Sequence, residues 1–336
     1  MHVMKLPMVA LLLLAANCAN AGVRVLAQDS GVDARLRGIS AVDGEVAWAS
    51  GRDGTVLRTR DGGRSWQKIA VPGAEALDFR DIEAFDAENA VLLAIGPGEA
   101  SRVYRTVDGG ETWRLALQNH DPRAFFDCMA FDGQRGWLLG DPVDGRFQLF
   151  ASDDGGRSWT QAEGPAAVEG EAAFAASGTC LARSGAALAV VTGGAQARIH
   201  VRHDGDGRWL DVHSGLEAGA ESKGGFSVAA LRDGFLVVGG DFLNEGGSAE
   251  SVAFEYSPAT GVSGSPWAPT PGYRSGAACM DEATTCIAVG PTGVDAWGGM
   301  AWVSVSATGY DAIDLAGNVG WASGDDGRIA RIEIGG

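Results

Sequence analysis

Arginine and aspartate side chains recur where apolar segments begin, and this spacing could assemble a binding site for an anion. Seven segments start with an aromatic residue or leucine, and the residues that follow these starts are Arg37, Arg80, Asp127, Ala175, Ser227, Arg274 and Asp311. The loops after the second apolar segments add Arg102, Asp141, Asp144, Arg146, Arg198 and Asp241. Converging guanidinium groups suit a carboxylate or phosphate, because each presents a planar fork of donors. The same arginines could instead pair with the aspartates in a closed ion network, which charges at a low-dielectric rim usually do.

A complete catalytic set is not evident beside these charges. The sequence has no Gly-x-Ser-x-Gly nucleophile motif and no strand–Gly-x-Gly-x-x-Gly–helix unit for a dinucleotide. Its histidines are scattered, and it has no CxxC or Cys/His cluster of metal-ligand spacing. We therefore predict no catalytic residue, no cofactor and no metal site.

A repeated motif, Thr/Ser-x-Asp-x-Gly-x-x-Trp, indicates the elements that must position these charged side chains. Its aspartate can accept hydrogen bonds from turn amides, its glycine supplies a positive φ, and its tryptophan starts the next strand. We interpret these residues as structural and expect them on the rim opposite the charged ring. They are Asp61, Gly63 and Trp66; Asp108, Gly110 and Trp113; and Asp154, Gly156 and Trp159.

A longer repeat contains this motif. Seven units of roughly 40 to 50 residues each read as strand, turn, strand, Gly-rich loop, strand, Asp turn and strand, a pattern typical of propeller blades. The last unit stops after its third strand, at Ile334, and residues 23–27 can supply the fourth. The sequence thus predicts an all-β, seven-bladed β-propeller of four-stranded antiparallel blades, the last closed by the N-terminal strand, which leaves no open sheet edge.

Composition limits the partners. The 336 residues carry 43 acidic and 26 basic side chains, for a net charge of -17. This balance argues against a nucleic-acid partner and disfavours an anionic membrane surface, since either would require a basic surface.

The N-terminus predicts export. Residues 1–21 combine Lys5, an apolar run and an Ala19-Asn20-Ala21 cleavage site, which is the pattern of a signal peptide. We expect residues 22–336 to form a single, monomeric propeller domain in the periplasm or outside the cell. The sequence contains no apolar run of transmembrane length.

Four cysteines remain after that cleavage, and an oxidising compartment permits disulfides. Cys279 and Cys286 flank a short polar segment that reads as a hairpin turn, so we expect them to be bridged. Cys128 and Cys180 could form a second bridge or remain two buried thiols.

The Asp-turn motif resembles the Asp-box, or bacterial neuraminidase repeat, of sialidases, sortilin-type receptors and the photosystem II stability and assembly factor family. Residues 77–82, 140–147, 173–179 and 239–241 look like exported bacterial propellers related to that assembly-factor family. The resemblance implies a WD40/YVTN/BNR-like repeat fold and a non-enzymatic scaffold that presents one rim to a protein partner or a small acidic or carbohydrate ligand.

The alternative is a neuraminidase-like glycoside hydrolase or carbohydrate-binding propeller. Such a hydrolase needs an arginine triad and a tyrosine nucleophile beside a glutamate, for which Tyr273, Tyr310 and Glu171 are the candidates. However, Phe79-Arg80-Asp81-Ile82 departs from the Phe/Tyr-Arg-Ile-Pro motif of sialidases. Sialidases with this repeat also resemble six-bladed propellers, whereas this sequence predicts seven blades. We therefore favour binding over catalysis.

Overall fold

The computed structural model describes residues 22–205, 207–232, 234–257, 261–280 and 285–335, with the backbone alone considered from 250 to 266. The predicted signal peptide at 1–21 lies outside the described residues. Within the described ranges the regular secondary structure is almost entirely β, and no helix there is long and apolar enough to cross a membrane. The strands are β1 (Val23–Gln28), β2 (Leu36–Ala41), β3 (Ala47–Gly51), β4 (Val56–Thr59), β5 (Gln67–Ile69), β6 (Asp78–Ala84), β7 (Ala90–Ile95), β8 (Arg102–Thr106), β9 (Arg114–Gln118), β10 (Phe126–Asp132), β11 (Arg135–Val143), β12 (Arg146–Ser152), β13 (Thr160–Ala162), β14 (Glu171–Ala172), β15 (Leu181–Ser184), β16 (Ala187–Val191), β17 (Gly193–Gly194), β18 (Arg198–His203), β19 (Trp209–His213), β20 (Ala220–Leu231), β21 (Gly234–Asp241), β22 (Ala249–Ser257), β23 (Gly261–Thr270), β24 (Gly276–Cys279), β25 (Cys286–Gly290), β26 (Gly293–Trp297), β27 (Trp302–Ser306), β28 (Ala312–Ala316), β29 (Val319–Ser323) and β30 (Ile329–Ile334), with one 3₁₀ turn at Gly98–Ala100.

These strands form seven antiparallel blades. Blades 1 to 3 are β2–β5, β6–β9 and β10–β13; blade 4 is β15, β16, β18 and β19; blades 5 and 6 are β20–β23 and β24–β27; blade 7 is β28, β29, β30 and β1. The short pair β14 and β17 extends the sheet of blade 5. The first strand of each blade contacts the first strand of the next, and β28 contacts β2, which closes the ring. The predicted seven-bladed propeller is confirmed.

The ring closes through the N-terminal strand, as the truncated last unit predicts. In blade 7, β1 pairs with β30 over six residues, from Val23 opposite Ile334 to Gln28 opposite Ile329. Val23 and Val25 pack on the apolar cluster between blades 6 and 7. Pairing of the two chain ends leaves β30 without a free edge.

Burial follows the position of a strand in its blade. The second strands β3 and β7 are buried at every residue, because neighbouring blades cover both faces of each sheet. Trp48 and Trp321 occupy equivalent sites on β3 and β29, and both are fully buried. The core is therefore a set of apolar layers between blades.

The Asp turns connect the third and fourth strands of blades 1 to 3. In the first, the Thr59 hydroxyl and the Ser65 hydroxyl donate to the Asp61 carboxylate at 2.9 and 2.7 Å, and the Ser65 amide donates at 2.9 Å. Gly63 has φ +81°, a conformation that disfavours other residues. These turns lie at the end of the strands where β2 meets β3, opposite the start of the first strands.

Two disulfides are present. Cys128 of β10 is bonded to Cys180, next to β15, and thus joins the first strands of blades 3 and 4. Cys279 and Cys286 join β24 to β25 within blade 6.

Candidate functional site: a cavity on the propeller axis

A cavity of about 490 Å³ lies on the axis, at the end of the ring where the first strands begin. This volume falls in the range of small-molecule and peptide side-chain pockets. Segments of all seven blades line it: Arg35, Arg37, Arg80, Ile95, Phe125, Asp127, Asp141, 173–176, Phe226, Phe242, Glu245, Tyr273, Ser275, Pro291 and Asp311.

β-Bulges aim four of these side chains. The register of the first strand shifts between Leu36 and Gly38 in blade 1, between Phe79 and Asp81 in blade 2, between Phe126 and Cys128 in blade 3, and between Gly225 and Ser227 in blade 5. The extra residues at these shifts are Arg37, Arg80, Asp127 and Phe226, and all four line the cavity. A bulge inserts one residue and redirects its side chain, so the repeated bulge builds the cavity wall.

Ion pairs hold two of the cavity arginines. Arg35 donates to both oxygens of Asp311, through Nε at 2.7 Å and Nη2 at 2.8 Å. The Asp311 carboxylate raises the pKa of the Arg35 guanidinium. Arg80 is paired with Asp78 at 3.0 Å and donates through Nη1 to the Ala175 carbonyl at 2.6 Å. Both arginines are therefore occupied by the fold.

Arg37 is the exception. Its nearest carboxylate oxygen is Asp311 Oδ2, 3.9 Å from Nε, and that oxygen already accepts from Arg35. The Arg37 Nε is buried and has no hydrogen-bond partner among the described residues. Burial lowers the pKa of the guanidinium to about 10, with a further contribution from the charge of Arg80. Arg37 is thus a cation in the cavity wall without a full counter-ion.

Two carboxyl groups lie on the blade 3 side. Asp127 is 1% exposed, and its Oδ2 has no hydrogen-bond partner among the described residues. Burial, and then the charge of Asp141, raise the pKa of Asp127 well above its usual range. Burial also raises the pKa of Asp141 to about 6, although the Ala173 amide donates to it at 3.1 Å. Near neutral pH this wall therefore carries less negative charge than its composition suggests.

Aromatic rings form a further part of the wall. Phe226 stacks on Phe174, with ring centroids 4.0 Å apart, and meets Tyr273 edge-on at 4.8 Å. Phe242 meets the other side of Phe226 edge-on at 6.1 Å. Burial raises the pKa of the Tyr273 hydroxyl, so this residue remains a neutral, largely apolar part of the wall.

Four of the ten candidate rim residues line this cavity: Arg37, Arg80, Asp141 and Asp311. The prediction for Arg274 is wrong. Its side chain is 1% exposed and is held by Asp295, to which Nε donates at 2.6 Å. Side chains alternate along an extended chain, so Tyr273 and Ser275 face the cavity while Arg274 faces the inside of blade 6.

The other five candidates also lie outside the cavity lining. Each has local partners: Arg102 donates to the Glu99 carbonyl, Asp144 pairs with Arg123, Arg146 pairs with Glu163, Arg198 pairs with Glu171 and Asp211, and Asp241 accepts from the Leu243 amide. In blade 5 the residue that faces the cavity is Phe226, one position before the predicted Ser227, because the bulge turns Phe226 inward. The Ser227 hydroxyl instead accepts a hydrogen bond from the Ala277 amide.

Sequence reasoning missed Arg35 and the aromatic wall. Arg35 precedes its strand, whereas the ring was assigned to residues that follow the strand starts. Phe174 and Phe226 were visible as strand starts but were interpreted only as markers, and Tyr273 was considered only as a nucleophile.

The tyrosine–glutamate pair of a sialidase-type site is not assembled. Glu171 is buried in a separate cluster, where it accepts hydrogen bonds from Arg198 and Thr192 and contacts His200 at 3.2 Å. Glu171 is not part of the cavity lining, whereas Tyr273 is. Among the described residues, no group of three or more His, Cys, Asp or Glu side chains is placed to hold a metal ion.

Comparison with known proteins supports the resemblance drawn from the motifs. Residues 17–114 match the family model described as photosynthesis system II assembly factor YCF48. No curated protein matches.

Solved structures match over nearly the whole chain. YCF48 bound to D1 peptide is 15% identical, with TM-score 0.62, over 94% of this chain and 97% of that one. YCF48 from Cyanidioschyzon merolae is 16% identical, with TM-score 0.65, over 93% and 99%. The WD40 propeller domain of Doa1 is 14% identical, with TM-score 0.59, over 93% and 97%. The chain is thus a seven-bladed Asp-box propeller that resembles the photosystem II assembly factors.

Proposed function

We propose that this chain is an exported, non-catalytic binding propeller that takes a carboxylate-bearing segment of a protein partner into its axial cavity. The observation that carries the proposal is Arg37, a partly buried guanidinium whose buried Nε has no hydrogen-bond partner among the described residues. A carboxylate of the partner would supply the charge-assisted hydrogen bonds that Asp311 gives to Arg35 instead.

A relative supports a polypeptide ligand. One structural neighbour, YCF48, was solved in complex with D1 peptide. The cavity combines charged and aromatic walls, and a peptide can satisfy both through neighbouring side chains.

Glycoside hydrolysis receives less support from the geometry. The arginine triad it requires would have to come from Arg37, Arg80 and Arg274, but Asp78 holds Arg80 and Asp295 holds Arg274 inside blade 6. Only Arg37 remains open to an anionic sugar.

The carboxylate site can be tested by thermal unfolding of the purified protein with acetate, succinate, sialic acid or phosphate. Ligands that bind the folded state raise the unfolding temperature in a concentration-dependent way. We expect a rise with carboxylates that is lost in Arg37→Gln and retained in Arg102→Gln, a rim arginine outside the cavity. The absence of any rise, or an equal rise in Arg37→Gln, would overturn the proposal.

Export can be tested separately. Mass spectrometry of the protein recovered from an envelope or culture fraction should find Gly22 as its first residue. A chain that retains residues 1–21 in the cytoplasmic fraction would contradict export and leave the cavity proposal intact.

A further inference from the structure

Two adjacent apolar side chains project to solvent at the mouth of the cavity. Phe242 is 41% exposed and lines the cavity, and Leu243 is 80% exposed. They follow β21, on the loop that leads to β22. We refer to this pair as the apolar lip.

The loop that carries the lip is fixed by hydrogen bonds. The Phe242 amide donates to the Ser222 carbonyl at 3.1 Å, and the Leu243 amide donates to Asp241 Oδ1 at 2.9 Å. The Asn244 amide closes the turn on the Asp241 carbonyl at 2.9 Å. A turn fixed in this way holds two partly exposed apolar side chains in place, which lowers the entropic cost of binding a partner.

The lip continues a buried aromatic wall. Phe242 meets Phe226 edge-on, and Phe226 in turn contacts Phe174 and Tyr273. Phe226 and Tyr273 are 1% and 5% exposed. An apolar group placed against the lip would therefore contact a preformed aromatic surface, not a mobile loop.

The same cavity carries its positive charge on the other side. Arg35, Arg37 and Arg80 come from blades 1 and 2, whereas the aromatic rings come from the segment before β15 and from blades 5 and 6. Tyr273 lies at the boundary, since its hydroxyl interacts electrostatically with Arg37 and Arg35. A ligand that fills the cavity thus contacts arginine side chains on one side and the aromatic wall on the other.

We infer that the apolar lip selects the partner, by binding a bulky apolar side chain that lies next to the carboxylate in the partner's peptide chain. This inference rests on the proposed function, because the carboxylate anchors the same ligand. The cavity of about 490 Å³ has room for one such side chain and a carboxylate. An extended apolar surface such as a membrane fits less well, since the chain is strongly acidic.

Two small carboxylates isolate the contribution of the lip. N-acetyl-phenylalanine and N-acetylglycine present the same carboxylate and differ only in the side chain. In calorimetric titrations of the purified protein, we expect N-acetyl-phenylalanine to bind about tenfold more tightly, as partial burial of a phenyl group predicts. N-acetyl-phenylalanine amide, which lacks the carboxylate, should bind more weakly than the acid.

Variants of exposed residues keep the test independent of folding. Phe242→Ser with Leu243→Ser should bring the two acids to equal affinity. Leu210→Ser, at an exposed leucine on blade 4, should keep the tenfold difference. Equal affinities in the wild-type protein, or a difference that survives the double substitution, would overturn the inference while the carboxylate site stands. Failure of both acids to bind would overturn the proposed function and this inference together.

Discussion

Arg35 and Asp311 are 276 residues apart in the sequence, yet they form a two-point ion pair where the first and last blades meet. Asp311 is almost fully buried, and Arg35 is about one-quarter exposed. The ion pair thus links the first and last blades of the ring at the mouth of the cavity. It also takes up the carboxylate that would otherwise neutralise Arg37.

Removal of the acid should cost more stability than removal of the base. Asp311→Asn leaves Arg35 and Arg37 without their counter-charge, and we expect a loss of about 3–5 kcal/mol, the cost of an uncompensated buried charge. Arg35→Ala should cost less, about 1–3 kcal/mol, because Arg37 lies 3.9 Å from the same carboxylate and can replace it. Urea unfolding of both variants and of the double variant measures this difference.

The surface pair Arg24–Glu333 provides the control, since it also joins the two chain ends. Arg24 is 73% exposed, so Arg24→Ala should change stability by less than about 1 kcal/mol. Equal losses for Arg24→Ala and Asp311→Asn would contradict the role assigned to the buried pair.

The N-terminal strand should be required for stability on one face only. Val25 points toward the apolar cluster under β30, whereas Leu26 is 40% exposed. We expect Val25→Ser to lower the unfolding temperature by several degrees and Leu26→Ser to leave it nearly unchanged, because successive side chains of a strand face opposite ways. Thermal unfolding followed by circular dichroism measures both. A larger effect at Leu26 would mean that β1 pairs in another register.

The blade count and ring closure were predictable because both rest on local patterns. The Asp61 turn, its two repeats and the equivalence of Trp48 with Trp321 each specify a strand connection from a few neighbouring residues. Residues 23–27 could be assigned to the last blade because its sequence stops one strand short. Such signals can be recognised in the sequence without knowledge of tertiary contacts.

The cavity lining was predictable only in part, because it depends on the direction of single side chains. Arg37 and Arg80 reach the cavity through bulges, whereas Arg274 precedes β24 and points into blade 6. A shift of one residue moves a side chain to the opposite face, and spacing alone does not show which strands contain the extra residue. Phe226 was missed for the same reason, and Arg35 was missed because it precedes its strand.

The disulfide between blades should contribute more stability than the one within blade 6. Cys128–Cys180 closes a separation of 52 residues, and Cys279–Cys286 closes one of 7. The chain-entropy relation gives about 4 kcal/mol for the longer loop and about 2 kcal/mol for the shorter. Denaturant unfolding of the two double Cys→Ala variants should show this order, and the reverse order would contradict the entropic explanation.

Stability should respond to pH through Asp141, whose pKa is raised to about 6 by burial. The unfolded-state pKa is about 3.9, so the folded protein holds an extra proton between about pH 4 and pH 6 and loses stability as the pH rises through this window. Asp141→Asn keeps an oxygen for the Ala173 amide and cannot ionise. We therefore expect the free energy of unfolding of Asp141→Asn to rise by about 1–3 kcal/mol relative to that of the wild type between pH 4 and pH 7.

Unfolding curves at half-unit pH steps measure that gain. The control is Asp144→Asn, at an exposed turn position with φ +54°, a conformation that asparagine tolerates. Its difference from the wild type should stay within about 0.5 kcal/mol across the range. A gain for Asp141→Asn that is independent of pH would show that folding does not raise the pKa of the Asp141 carboxyl. Ionisation of Asp141 would also place a negative charge in the cavity wall, so carboxylate binding should weaken as the pH rises past 6.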